Sequence, residues 1–279
     1  MSAAATGARP REPLFVFALA LVAGQVLLAA LAPLIAPYDP LAQDILARLK
    51  GPSAAHWFGA DHLGRDIFAR TLYGYRASLA VSTAAVGLAL FIGGAIGLVS
   101  AYYRGWTERV AMRTMDVIFA FPVMLLAIGV IAVIGAGSAP AAIAIAIVYT
   151  PIFARLTRGP ALVVAASEYV EGARAAGAGD LRILFIHILP NLLGVLLVQA
   201  SLLLSSAILV EASLSFLGVG SQPPYPSLGL MLSEGRNVLM LSPWSAIFAG
   251  FAILFLAFGF NLLGDTLRDR LDPRLARSA

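Results

Sequence analysis

Uncharged apolar runs long enough to cross a lipid bilayer recur along this chain, and no other feature of it limits the possible folds so strongly. They occupy residues 14–36, 77–102, 117–137, 139–154, 191–210 and 243–263. An α-helix needs roughly 20 such residues to span the hydrocarbon core. A helix also satisfies every backbone N–H and C=O internally, which lipid does not do for it. The reading is an all-α integral membrane protein with about six transmembrane helices.

Composition agrees: 60% of residues are hydrophobic, 12% are charged, and the mean hydropathy is +0.88. An ordinary soluble domain carries about 25% charged residues. A membrane β-barrel would show weaker, alternating segments of about 10 residues. The first run exceeds the 7–15 residue core of a cleaved signal peptide, so it reads as a retained helix. The net charge of +4 does not indicate nucleic acid, because the arginines flank apolar runs and form no basic stripe. With no cysteine, disulfides and thiolate metal sites are excluded.

These runs divide the chain into a tail (1–13), a first helix (14–36), a long outer loop (37–76), a five-helix core (77–266) that includes a polar loop at 155–190, and a second tail (267–279). If both termini are cytoplasmic, the inner segments hold thirteen Arg or Lys residues and the outer segments six, which the positive-inside rule favours. Trp57, Phe58, Tyr73 and Tyr75 suit the membrane–water boundary near the outer loop. Gly135-Ala136-Gly137-Ser138 reads as a tight turn joining helices three and four as a hairpin.

The polar loop parses as two short helices. Ser167 can cap the first, Glu168 and Glu171 complement its positive end, and Gly177 or Gly179 can end it in a left-handed conformation. Asp180 is placed to cap the second. Gly172, Ala173 and Ala176 form a shallow surface that another protein could approach closely. The plainer alternative is a solvated loop in which Glu171 pairs with Arg174 at i,i+3, worth a few tenths of a kcal/mol.

Glu171, Ala173, Gly177, Leu189 and Pro190 match the Glu-Ala-Ala, Gly and distant Leu-Pro signature of this loop in the membrane subunits of ABC importers, which the chain resembles. Gly172 departs from the usual Ala, weakening the helix by roughly 0.5–1 kcal/mol. Residues 58–66 (FGADHLGRD), 214–220 (LSFLGVG), 263–269 (LGDTLRD) and 271–274 (LDPR) extend the similarity to the C-type permeases of the dipeptide, oligopeptide and nickel group. The resemblance implies a type I ABC importer permease fold in a bacterial cytoplasmic membrane. It also implies a second homologous permease, two ATPase subunits and an extracytoplasmic solute-binding protein as partners, with Glu168 through Asp180 as the helix that couples to the ATPases. The implied cargo is a di- or oligopeptide or similar small solute.

Other candidates carry two readings each. Asp61, Arg65 and Asp66 form an outer lid that contacts solute, or a loop whose charges pair with one another. Asp116 and Glu211, at the margins of apolar runs, read as interfacial. Gln199, Ser201, Ser205 and Ser206 line a passage or hydrogen-bond between helices. His187 falls on the opposite side of the membrane from His56 and His62, which argues against a metal cluster. The only lysine is Lys50, in the outer loop, so a phosphate-binding Gly-x-x-x-x-Gly-Lys motif is missing, as are serine-elbow and zinc-pair motifs. No cofactor or catalytic activity is expected. An ion-coupled secondary transporter would need ionisable groups near the bilayer centre, and an intramembrane enzyme a nucleophile or metal ligands; neither set is evident.

Overall fold

A computed structural model describes residues 12–271. The expected tails, with Arg9, Arg11, Arg274 and Arg277, lie outside the described residues except at their inner edges. Among the described residues five helices are long and apolar enough to cross a membrane: α1 (Glu12–Ala30), α3 (Ile67–Tyr103), α6 (Ser138–Ala165), α9 (Leu189–Phe216, continuous with the turns before it) and α11 (Trp244–Leu271). A short α2 (Ala32–Ile35) continues α1, and α4 (Gly105–Phe119) with α5 (Val123–Ile134) forms a pair bent by 97° that can supply a sixth span. On the polar side lie α7 (Glu168–Ala175) and the single turn α8 (Asp180–Arg182), while α10 (Leu228–Asn237) precedes α11.

Helix α3 begins ten residues before its apolar run. Asp66 caps it, its Oδ1 accepting the Ala69 N–H at 2.7 Å. At 37 residues it is about 55 Å long, well beyond the roughly 30 Å hydrocarbon core. Its first turns therefore project into the polar segment 37–66.

The apolar run at 117–137 is not one straight helix. It is shared between α4 and α5, and the break falls at Ala120-Phe121-Pro122. Proline disfavours helical geometry at the residue before it and supplies no N–H of its own. The run at 139–154 is longer than its composition indicates, since α6 continues through Pro151 and Pro160 to Ala165. Neighbouring helices make such prolines tolerable in a membrane. Residues 135–137 turn α5 back along α6, as the hairpin reading requires.

The main core joins α3, α5, α6 and α9 through Ala85, Ile131, Ile145, Phe153 and Leu192. Helices α3 and α6 touch backbone to backbone: a Cβ on Gly93 would meet the Thr150 carbonyl and lie 2.8 Å from Phe153 Cβ, and one on Gly97 would meet the Ala154 carbonyl and lie 2.8 Å from Thr157 Cβ. This is the small-xxx-small contact by which membrane helices approach closely. Helix α1 docks on α11 through buried Gln25, whose Nε2 donates to the Phe255 carbonyl at 2.7 Å.

Candidate functional site

The polar loop 166–188 folds as a compact hairpin under the bundle. Ser167 occupies the N-cap position of α7 with extended backbone, but its hydroxyl donates to the Val164 carbonyl at 2.5 Å and caps nothing. Glu168 and Glu171 therefore complement the helix start without a side-chain cap. At the other end Gly177 adopts φ +85°. The Ala178 N–H bonds to the Ala173 carbonyl and the Gly177 N–H to the Arg174 carbonyl, each at 3.0 Å. That pair is a Schellman ending, and its left-handed residue is glycine because a Cβ would be strained there.

Asp180 does not cap the next turn; Gly179 holds that position. The Asp180 carboxylate instead accepts the Tyr102 hydroxyl at 2.7 Å and the Tyr103 hydroxyl at 2.9 Å, tying the loop to the end of α3. Arg174 stacks over the Tyr102 ring at 5.4 Å. On the far side the Tyr169 hydroxyl donates to the His187 carbonyl at 2.8 Å and accepts from Asn191 at 3.1 Å. A π-helical stretch, Ile183–Ile188, leads into α9. Pro190 has no N–H to offer the Ile186 carbonyl, and the turn before it widens accordingly.

Val170 is fully buried and anchors α7 in the main core, a contribution of about 1.5–3 kcal/mol. Each hydrogen bond adds roughly 0.5–1.5 kcal/mol. Helix α7 is thus attached to α3 through Arg174 over Tyr102, to α6 through the Ser167–Val164 bond before it, and to α9 through Tyr169 and Asn191. Ala173 is half-buried on the Val170 side, so it belongs to the packing face more than to the free surface. Glu168, Glu171, Gly172, Ala175, Ala176 and Gly177 are exposed, and nothing lies within 4 Å of a Cβ built on Gly172. Tyr102, Tyr103, Tyr169 and Asn191 escape a reading of the loop alone; the adjacent tyrosines closing an apolar run are the one signal in the sequence.

The polar residues of α9 do not converge. Ser205 is buried and donates to the Ala257 carbonyl of α11 at 2.8 Å, a helix-to-helix bond. Ser201 donates to the Leu197 carbonyl of its own helix at 3.1 Å, and Ser206 points to the Leu202 carbonyl at 3.5 Å. Gln199 lines a cavity with Leu156, Asn191, Leu202 and Arg268. At 100° per residue, Gln199 and Ser206 share one side of α9 and Ser201 and Ser205 another.

At the opposite end, Asp61, Arg65 and Asp66 are buried and paired. Asp61 Oδ2 accepts from Arg65 Nε at 2.7 Å and lies 3.4 Å from Arg70 Nε. Both arginines reach Glu234 of α10, at 2.8 and 3.2 Å. Asp66 holds His56 at 2.8 Å. His62 comes near Asp61 and Glu234, but two guanidinium groups already neutralise those carboxylates, a poor setting for a cation. Asp116 is exposed and pairs with Arg155 at 2.8 Å. Glu211 is buried within the bundle, 1% exposed, and accepts from Ser215 at 2.8 Å.

Comparison with known proteins places this architecture. A family model described as "Binding-protein-dependent transport system inner membrane component" matches residues 93–277, and one described as "N-terminal TM domain of oligopeptide transport permease C" matches 11–52. The glutathione transport system permease protein GsiD of Pectobacterium atrosepticum is 48% identical over 251 residues, covering 90% of this chain and 83% of that protein. The dipeptide transport system permease protein DppC of Alkalihalophilus pseudofirmus is 43% identical over 265 residues, covering 95% and 87%. Among solved structures, a chain of the MetNI methionine ABC transporter superposes with a TM-score of 0.57 at 16% identity, covering 76% of this chain and 96% of that one, which shows a shared fold. The chain therefore belongs to the inner-membrane permease components of binding-protein-dependent ABC transport systems.

Proposed function

We propose that this permease is one of two homologous membrane subunits driven through α7 by separate ATPase subunits, importing a small peptide-like solute delivered by an extracytoplasmic binding protein. The observation that carries the reading is the two-sidedness of α7: one face meets α3 through Arg174, the main core through Val170 and α9 through Tyr169, and the other offers Glu168, Glu171 and Gly172, with Ala176 at its end, to whatever approaches. A force applied to the bare face reaches three membrane helices without a flexible link. Arginine placement favours an orientation with α7 on the cytoplasmic side, where ATP is available. The solute class follows relatives named for dipeptide and glutathione transport, both small peptides. The segment 37–66 and α10 then face the side from which solute arrives, and Gln199 with Ser206 is the better pair for a passage, since Ser205 is committed to α11.

The test exploits the open space over Gly172. Gly172→Trp should leave membrane insertion and thermal stability unchanged, because Gly172 is exposed and a Cβ there opens onto space with nothing within 4 Å. It should nevertheless lower co-purification with the ATPases and ATP-driven uptake about tenfold or more, the effect of losing some 1.4 kcal/mol of docking energy. Wild-type uptake and ATPase retention in that variant would refute coupling through α7.

A further inference from the structure

Helix α4 has no part in that reading, yet its placement and charge pattern are specific. Helices α5 and α6 run antiparallel through the turn at 135–137, so α5 shares the direction of a membrane-crossing helix. Helix α4 meets α5 at 97° and therefore lies across the membrane normal. Its depth follows from its ion pairs: Asp116 pairs with Arg155 and Glu108 with Arg158, both on α6. Arg155 stands about 26 Å along α6 from Ser138, close to the full roughly 30 Å of hydrocarbon. Helix α4 thus lies flat at the bilayer boundary, on the side that carries α7.

Both acids of α4 are consumed by α6, whereas Arg104, Arg109 and Arg113 are exposed and make no ion pair among the described residues. Beside them Trp106, Val110 and Val117 are 73%, 46% and 63% exposed and fall on one helical face. An in-plane helix with an apolar strip bordered along one edge by the unpaired Arg109 and Arg113, and a tryptophan at its start, has the build of an interfacial helix that attracts anionic lipid.

We propose that α4 binds the phosphate headgroup of an anionic phospholipid through Arg109 and Arg113, with Trp106, Val110 and Val117 seated among the acyl chains. The proposal uses the side on which α4 lies and does not depend on α7 contacting an ATPase.

The complete transport complex, purified with phosphatidylglycerol and phosphatidylcholine in equal amounts, should retain phosphatidylglycerol in preference when measured by native mass spectrometry. Arg109→Gln with Arg113→Gln should weaken that retention about thirtyfold, at roughly fivefold per arginine near a charged surface. The corresponding double Lys variant should largely restore it, and thermal stability in neutral detergent should not change. A photo-crosslinking residue at Val110 should label lipid. Equal retention of the two lipids, an unchanged Gln variant, or crosslinks from position 110 to another protein subunit would each overturn the proposal, the last by assigning this face to a subunit interface.

Discussion

Gly93→Leu or Gly97→Leu should destabilise the bundle more than any other single substitution on the α3–α6 interface. A Cβ alone on Gly93 would sit 2.8 Å from Phe153 Cβ and closer still to the Thr150 carbonyl, and the opposing atoms of the α6 backbone have no rotamer through which to retreat. Even alanine forces the helices apart, and leucine adds three further carbons to a seam already closed. Overpacking of this kind costs about 1–3 kcal/mol, with the upper end expected where backbone opposes backbone. Gly87 supplies the control: it lies on the same helix, a Cβ there meets nothing within 4 Å, and Gly87→Ala should be neutral or slightly stabilising on helix propensity. Thermal unfolding of the purified permease, followed by fluorescence-detected size exclusion, should rank Gly87→Ala above Gly93→Ala and Gly93→Ala above Gly93→Leu. Equal melting of the alanine variants at 87 and 93 would show that the seam opens freely.

That seam illustrates what a chain of this kind declares in advance. The membrane-crossing helices are legible because lipid imposes a long uncharged run on any segment that crosses it. Their ends are less so. Helix α3 extends beyond its apolar run because Asp66 caps it in water, and α6 passes two prolines because neighbouring helices compensate. The bend before α5 is written in Phe121-Pro122, but α4 itself is hidden, because its charges break the run that would have marked a crossing.

The proposed coupling surface divides in the same way. Gly177 ends α7 by a local rule, and local rules can be read from neighbours in the chain. Asp180 looked like a cap by the same kind of rule, yet its carboxylate is claimed by hydroxyls 77 and 78 positions earlier. Ser205 and Glu211 are further cases in which polar residues on one helix find partners that only packing selects or buries. Residue type announces that a polar group in a membrane helix needs a partner; the fold decides which.

Asp61→Ala should cost about 3–5 kcal/mol, the loss typical of removing one member of a buried ion pair. Asp61 is 4% exposed, and its Oδ1 also accepts the backbone N–H groups of Leu63 and Arg65, at 2.8 and 3.0 Å. Without it Arg65 and Arg70, 4% and 1% exposed, would share only the Glu234 carboxylate. One excess positive charge would then remain in a site closed to water, and desolvation makes such a charge costly. The same reasoning predicts a rescue: Asp61→Ala combined with Arg70→Met restores one guanidinium against one carboxylate and should recover a substantial part of the loss. Because the cluster joins the 37–66 segment to α3 and α10, unfolding should begin there, so limited proteolysis within 37–66 should accelerate in Asp61→Ala and slow again in the double variant. A cost below about 1 kcal/mol for Asp61→Ala would mean that the cluster behaves as a hydrated surface network, and would return these residues to the solute-contacting role that the sequence alone leaves open.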